Sequence, residues 1–263
     1  MILTNKVAVI YGAAGAIGGA VARAFAREGA NVFLAGRHRM PVDAVARDIT
    51  SAGGSAEAAE VDALDERAVD EHLQCVINKV GRVDISFNAV GIPGTTFLGM
   101  PLVELGVEQF VLPITTYATA YFLIARAAAR PMVANRSGVI MTATTQHSRM
   151  GLPLSGGYGS AMAAEEALTR LLSAELAPHG IRVVGLRPQA IPETGTLKEA
   201  FEARAKISGM TWEQFQELLA SKTHARRLMT LDEVAHMAVF LASDRASGMT
   251  GTTVNLTMGS LDD

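Results

Sequence analysis

The turn Tyr11-Gly12-Ala13-Ala14-Gly15-Ala16-Ile17-Gly18 is the first stretch of this sequence whose residue types suggest chemistry. Glycines let a backbone turn tightly and approach a pyrophosphate, and a helix beginning at once presents free N–H groups and partial positive charge to that anion. An apolar run before the turn and a helix-period segment after it strengthen the reading. A second apolar run ends in Leu34-Ala35-Gly36-Arg37-His38-Arg39. An acidic residue at that strand end would grip the ribose hydroxyls of NAD(H). Gly36 stands there instead, with Arg37 beside it to meet a 2′-phosphate. NADP(H) is therefore expected over NAD(H), the bland alternative being that Arg37 is only a solvated charge. Asp62 could accept from an adenine amino group or serve as the N-cap of a helix starting near Asp65.

Such residues need a frame that brings them together. Strand-like runs at 6–11, 31–35, 56–61, 83–87, 138–143, 181–186 and 252–256 alternate with helix-period stretches at 16–28, 41–52, 65–80, 104–134, 158–177 and 230–243. That alternation is the signature of βαβ units. Right-handed crossovers then predict an α/β fold with a doubly wound parallel sheet and ligands at the carboxyl ends of its strands. One domain over 1–263 is expected. Residues 195–226 depart from the rhythm, forming two amphipathic pieces around Met210, Trp212, Phe215, Leu218 and Leu219. They read as packed helices or as a substrate lid, and the lid is preferred because an insertion after a strand's carboxyl end overhangs the crevice.

Composition excludes several classes. Lys+Arg 23 against Asp+Glu 26 leaves a net charge of −3, the wrong sign for a nucleic-acid binder. Cys75 is the only cysteine, so an internal disulfide is impossible and a reducing cytoplasm is the expected setting. Val7 to Ala22 could pass for a signal peptide, but Gly12, Gly15, Gly18 and Gly19 interrupt it as a strand turning into a helix would. The uncharged stretch Phe110 to Ala125 is short and carries Pro113, so no membrane span is expected.

Motifs along nearly the whole chain resemble those of the short-chain dehydrogenases/reductases. They are the Gly12 to Gly18 turn, Asp62, Asn88-Ala89-Val90-Gly91, Tyr158 at a helix start, Pro188 after the sixth strand, Asp232-Glu233-Val234-Ala235, Phe240-Leu241-Ala242-Ser243-Asp244 and Thr250-Gly251. The resemblance implies a seven-stranded Rossmann sheet in the order 3-2-1-4-5-6-7, a nicotinamide cofactor, a small-molecule substrate and a homotetramer or homodimer, with no metal. It implies cofactor contacts at Gly12, Ala14, Gly15, Ile17, Gly18, Arg37, Asp62, Ala63, Asn88, Ala89, Pro188 and Ile191. Ala16 stands where the family usually has its middle glycine.

The family's catalytic pattern is only partly kept. Its serine, thirteen residues before the tyrosine, becomes Thr145; its Tyr-x-x-x-Lys lysine becomes Met162; and its helix asparagine falls on Tyr117 or Thr116. A phenol needs about 4 kcal/mol to come from pKa near 10 to about 7. A neighbouring ammonium supplies much of that, and a thioether none. Alcohol oxidation should be handicapped severely; reduction suffers differently, since Tyr158 already holds its proton but the phenolate forming in the transition state lacks its cation. Arg187 and His147 are candidate replacement cations, with a surface or subunit-contact charge and a solvated loop histidine as their plainer readings. Glu165 and Glu166 are expected on an outward or intersubunit face. Pro188-Gln189 replaces the usual Pro-Gly, and Glu193 replaces a phosphate-facing threonine, with Thr194 one residue late.

Alanines in 104–134 and 158–177 would allow close helix approach, and the resemblance implies that these two helices form a four-helix dimer contact. Three functions are consistent with the sequence. The favoured one is an NADPH-dependent reductase of C=O, C=N or activated C=C bonds using Tyr158 and Thr145. The others are a nucleotide-binding pseudoenzyme or regulatory subunit, and a non-redox enzyme on the same fold.

Overall fold

A computed structural model describes residues 1–262. The sheet is built from β1 (Val7–Tyr11), β2 (Asn31–Gly36), β3 (Ser55–Glu60), β4 (Ile85–Asn88), β5 (Gly138–Ala143), β6 (Ile181–Pro188) and β7 (Thr252–Leu256). Every pairing is parallel and the order is β3-β2-β1-β4-β5-β6-β7, as expected. The central strands are apolar on both sides because helices cover both faces. Ala8 and Ile10 of β1 join one core with Val21 and Phe25 of α1 (Ala16–Arg27), Val42 and Ile49 of α2 (Arg39–Ser51), and Ala238 of α8 (Leu231–Ala242). Val9 and Tyr11 point the other way. They meet Leu73 of α3 (Glu66–Val80) and Ile124 of α4 (Val107–Asn135), while Leu168 of α5 (Tyr158–Leu176) packs against the same core. The edge strand β3 (SAEAAE) carries charges at Glu57 and Glu60 that discourage further pairing.

Helix α4 is long and apolar enough to cross a bilayer by length and composition. Ala120, Ile124, Ala128 and Met132 nevertheless lie in the core beneath the sheet. Its start at Val107, later than the apolar period suggested, follows a turn over 102–104. Ala120, Ala125, Ala127, Ala128 and Ala129 are buried within this chain, whereas Phe110, Val111, Leu112 and Phe122 of α4 and Leu171 of α5 are exposed. The 195–226 segment forms α6 (Gly195–Ser208) and α7 (Trp212–Ser221). A capping box between Thr211 and Gln214 starts α7.

Candidate active site

At the carboxyl end of β1 the chain reverses through Gly12, whose φ of +76° suits glycine. A Cβ there would lie 2.2 Å from the Ala89 carbonyl oxygen, and one at Gly18 would lie 2.3 Å from the Gly12 oxygen. Both glycines are required by close backbone approach. Gly15 is different: its backbone is extended (φ −72°, ψ 161°) and it is the N-cap of α1. The Gly12 and Ala13 N–H groups bind the Ala35 oxygen at 2.9 and 3.1 Å, tying the turn to β2. Ala14 is exposed, and the first turn of α1 bears no acidic residue to offset the partial positive charge of its N-terminus. Arg37 is exposed beyond β2 and makes no ion pair among the described residues. Its neighbour Arg39 is tied to Asp43 at 2.9 Å.

Asp62 is not a helix cap. Its Oδ1 accepts the Leu64 N–H at 3.0 Å, while Asp65 caps α3 by accepting from Ala68 at 3.1 Å. The helix begins one residue beyond Asp65, too far for Asp62 to reach its first N–H groups. Ala63 beside it is buried. Asn88 closes β4 rather than following it. Its Nδ2 donates to Thr142 Oγ1 at 3.0 Å and to Glu165 Oε1 at 2.9 Å, so the side chain fastens β4 to β5 and α5. Ala89 supplies the carbonyl against which Gly12 packs.

Tyr158 opens α5 and is 7% exposed. Its ring stacks on Phe97 at 5.3 Å, tilts against Tyr117 at 5.6 Å and meets the His147 edge at 5.2 Å. Burial, and then the Tyr117 hydroxyl, push its phenol well above the ordinary value, partly offset by a hydrogen bond from Thr145. Thr145 Oγ1 also lies 3.1 Å from His147 Nδ1. Burial pushes Tyr117 up to about 12, although the Ile92 N–H donates to its oxygen at 3.4 Å. Tyr11 and Tyr121 are likewise raised by burial.

All four tyrosines of the chain are therefore buried as neutral phenols. A phenol raised in the folded state keeps its full stabilising effect below its unfolded pKa of about 10 and loses it as pH rises through the folded value. Ultraviolet phenolate absorbance is expected to stay flat through about pH 10 and then to rise in one step with unfolding. A tyrosine titrating in the folded protein near its free value would contradict the burial.

Met162 is 1% exposed, one helical turn beyond Tyr158, and both belong to a cluster with Phe97, Tyr117 and Ala161. Arg187 is engaged in a buried ion pair. It is 2% exposed, donating from Nε to Glu166 Oε1 at 2.7 Å and from Nη2 to Glu166 Oε2 at 2.8 Å. Two expectations fall together here. Arg187 is no surface charge, and Glu165 and Glu166 face inward, at 0% and 2% exposure. Burial pushes the Glu165 carboxyl well above the usual range despite its bonds from Asn88 and Thr142, and its Oε2 has no hydrogen-bond partner among the described residues. His147 is not merely solvated, being held against Tyr158 and Thr145.

Ile17, Thr145, Tyr158, Pro188 and Ile191 line one cavity of about 130 Å³, so the β1, β5 and β6 ends converge on the phenol. Thr196, Leu197 and Ala200 of α6 form its roof. The Glu199 carboxylate accepts the Gly94 N–H and pins α6 to the loop after β4, a contact for which the sequence held no signal. Glu193 accepts the Leu231 N–H at 3.3 Å at the start of α8, and Thr194 donates to the Ile191 carbonyl at 2.8 Å.

The family described as enoyl-(acyl carrier protein) reductase matches residues 12–260. The chain is a short-chain dehydrogenase/reductase. A 7alpha-hydroxysteroid dehydrogenase of Escherichia coli K12 is 30% identical over 261 residues, covering 99% of this chain and 96% of its own. An NAD+-bound xylitol dehydrogenase superposes with TM-score 0.91 at 25% identity, covering 99% of this chain and all of its own. A gluconate 5-dehydrogenase from Burkholderia cenocepacia J2315, solved with NADP and tartrate, gives TM-score 0.86 at 26% identity over 98% of this chain and 95% of its own. In this short-chain dehydrogenase/reductase, the Gly12 turn and the Tyr158 cavity lie at the same carboxyl edge of the sheet.

Proposed function

We propose that the protein is an NADP(H)-dependent oxidoreductase working in the reductase direction on a carbonyl, imine or activated alkene. The observation that carries the reading is Tyr158: a phenol held protonated, hydrogen-bonded by Thr145, in a cavity walled by Ile17, Pro188 and Ile191. The residues fit a dinucleotide. Ala14 and Gly15 are exposed at the start of α1, whose first turn bears no acidic residue, and Arg37 has no ion pair among the described residues. Gly12, Ala14, Gly15, Ile17 and Gly18 would hold the pyrophosphate, Arg37 the 2′-phosphate, Asp62 and Ala63 the adenine end, and Asn88, Ala89, Pro188 and Ile191 the remainder. Bound there, a reduced nicotinamide supplies a hydride.

Tyr158 holds the proton at Oη and gives it to the substrate heteroatom. Thr145 donates to the same oxygen and stabilises the phenolate as it develops. Phe97 and Tyr117 keep water from the ring. With Met162 at the position of the family's lysine, no cation from that residue stabilises the phenolate, which handicaps alcohol oxidation and leaves the phenolate that develops during reduction to the Thr145 hydroxyl.

Met162 also supports a second reading, a regulatory protein that binds a nucleotide without turnover. Titration with NADPH, followed by a panel of carbonyls, imines and enones, separates the two. Saturable binding with turnover supports the reductase, binding without turnover supports the regulatory protein, and absence of binding defeats both. Replacing Arg37 with Ala is expected to weaken NADPH about tenfold or more, the size of a lost charge-assisted bond, and to leave NADH nearly unchanged. Equal losses for the two would remove Arg37 from the 2′-phosphate. The helices α6 and α7 act as the lid in this reading. The exposed apolar residues Phe110, Val111, Leu112, Phe122 and Leu171 would be covered by another copy in a homodimer or homotetramer, in the reducing cytoplasm that a lone, exposed Cys75 suits.

A further inference from the structure

A second cavity, of about 340 Å³, adjoins the Tyr158 cavity through the shared walls of Gln146, Leu152, Gln189, Ala190 and Leu219. Its lining is dominated by Leu154, Met210, Phe215 and Leu218. Two of its polar side chains already bond within the protein. Gln146 accepts from Ser260 at 3.0 Å, and Gln189 donates to the Arg227 carbonyl at 3.3 Å. A polyol entering here would find few partners for its hydroxyls, which is costly, whereas hydrocarbon gains by leaving water. Lys222 also lines this cavity, is exposed, and forms no ion pair among the described residues.

We propose that this cavity completes the substrate site and selects an elongated apolar oxo compound with a carboxylate at its far end: the reacting carbonyl at Tyr158, the chain between α7 and the 150–154 loop, and the carboxylate at Lys222. This rests on the reductase reading for the reacting end only. The sole tryptophan offers a test that needs no cofactor, because Trp212 stacks on Phe215 at 6.2 Å, and Phe215 lines the cavity.

The whole protein is titrated, without cofactor, with medium-chain (ω−1)-oxo acids, their methyl esters and gluconate, following Trp212 emission. The oxo acids should bind saturably, with each added methylene tightening affinity about threefold to fourfold until the cavity is filled. The acids should exceed their esters by about threefold to fivefold, as an exposed ion pair allows. Lys222→Met should abolish that preference while ester binding stays as it was. Leu219→Glu, which places a carboxylate in the shared wall, should abolish acid binding with the fold intact by circular dichroism. Gluconate binding as tightly as the oxo acids, no dependence on chain length, or equal affinity of acid and ester would each overturn the proposal. A Trp212 response without NADPH turnover supports this site and removes the reductase reading. Turnover of small carbonyls with no Trp212 response to any oxo acid does the reverse.

Discussion

Met162→Lys is expected to raise NADP+-dependent alcohol oxidation at neutral pH by about two to three orders of magnitude. Residues 158 and 162 lie on one face of α5, a single turn apart, and both side chains are buried in the same cluster. Burial and Tyr117 hold the Tyr158 phenol protonated, so the general base that oxidation needs is nearly absent. At a free pKa near 10, about one phenol in a thousand is ionised at pH 7, and burial reduces that fraction further. An ammonium at 162 favours the phenolate through its charge. Reduction of the same ketone and alcohol pair should rise by a similar factor at the same pH, because both directions pass through one transition state in which the ammonium stabilises the phenolate. An unchanged oxidation rate in a folded, cofactor-binding variant would falsify the assignment of Tyr158 as the group that moves the proton.

Arg187→Met is expected to destabilise the protein by about 3–5 kcal/mol at pH 7, the usual cost of breaking a buried ion pair from one side. Among the described residues Glu166 would keep Ser148, Thr144 and the more distant Arg149 at 3.5 Å. Burial raises the Glu166 carboxyl, but the Arg187 and Ser148 hydrogen bonds, with the charge of Arg187, outweigh it and hold the group below its ordinary value. A depressed carboxyl contributes stability that is present above its unfolded pKa of about 4.3 and lost as pH falls through the folded value. In Arg187→Met the sign reverses. Desolvation then favours the neutral acid, so that variant should gain stability as pH falls from 7 toward 4. Denaturant melts of both proteins across that range measure it. Adding Glu166→Gln should recover much of the loss at neutral pH. A double variant no more stable than Arg187→Met would show that the buried carboxylate is not the source of the cost.

The two large effects rest on residues that differed in how far the sequence revealed them. Tyr158, Thr145 and Met162 stand at recognisable spacings, and the Gly12 turn announces itself because a tight reversal before a helix restricts which residues fit. The strands and most helices were legible for the same reason: their periodicity is a local property, and the ends shifted by at most a few residues. The Arg187 and Glu166 pair was not legible. A charged residue on a helix reads as solvent-facing, since burying it unpaired is prohibitive, and its partner lies 21 residues away in another element. Glu165 was hidden similarly, its Asn88 partner being 77 residues distant. Asp62 and Asp65 show the same limit at short range, where either type suits a cap and only the helix's actual first turn chose between them. The sequence by itself determined the alternation of strands and helices, the nucleotide-type turn and the candidate phenol, because these depend on neighbouring residues. The tertiary structure alone decided which charges were buried and what they touched, because burial and pairing depend on residues that meet only when the sheet and helices close together.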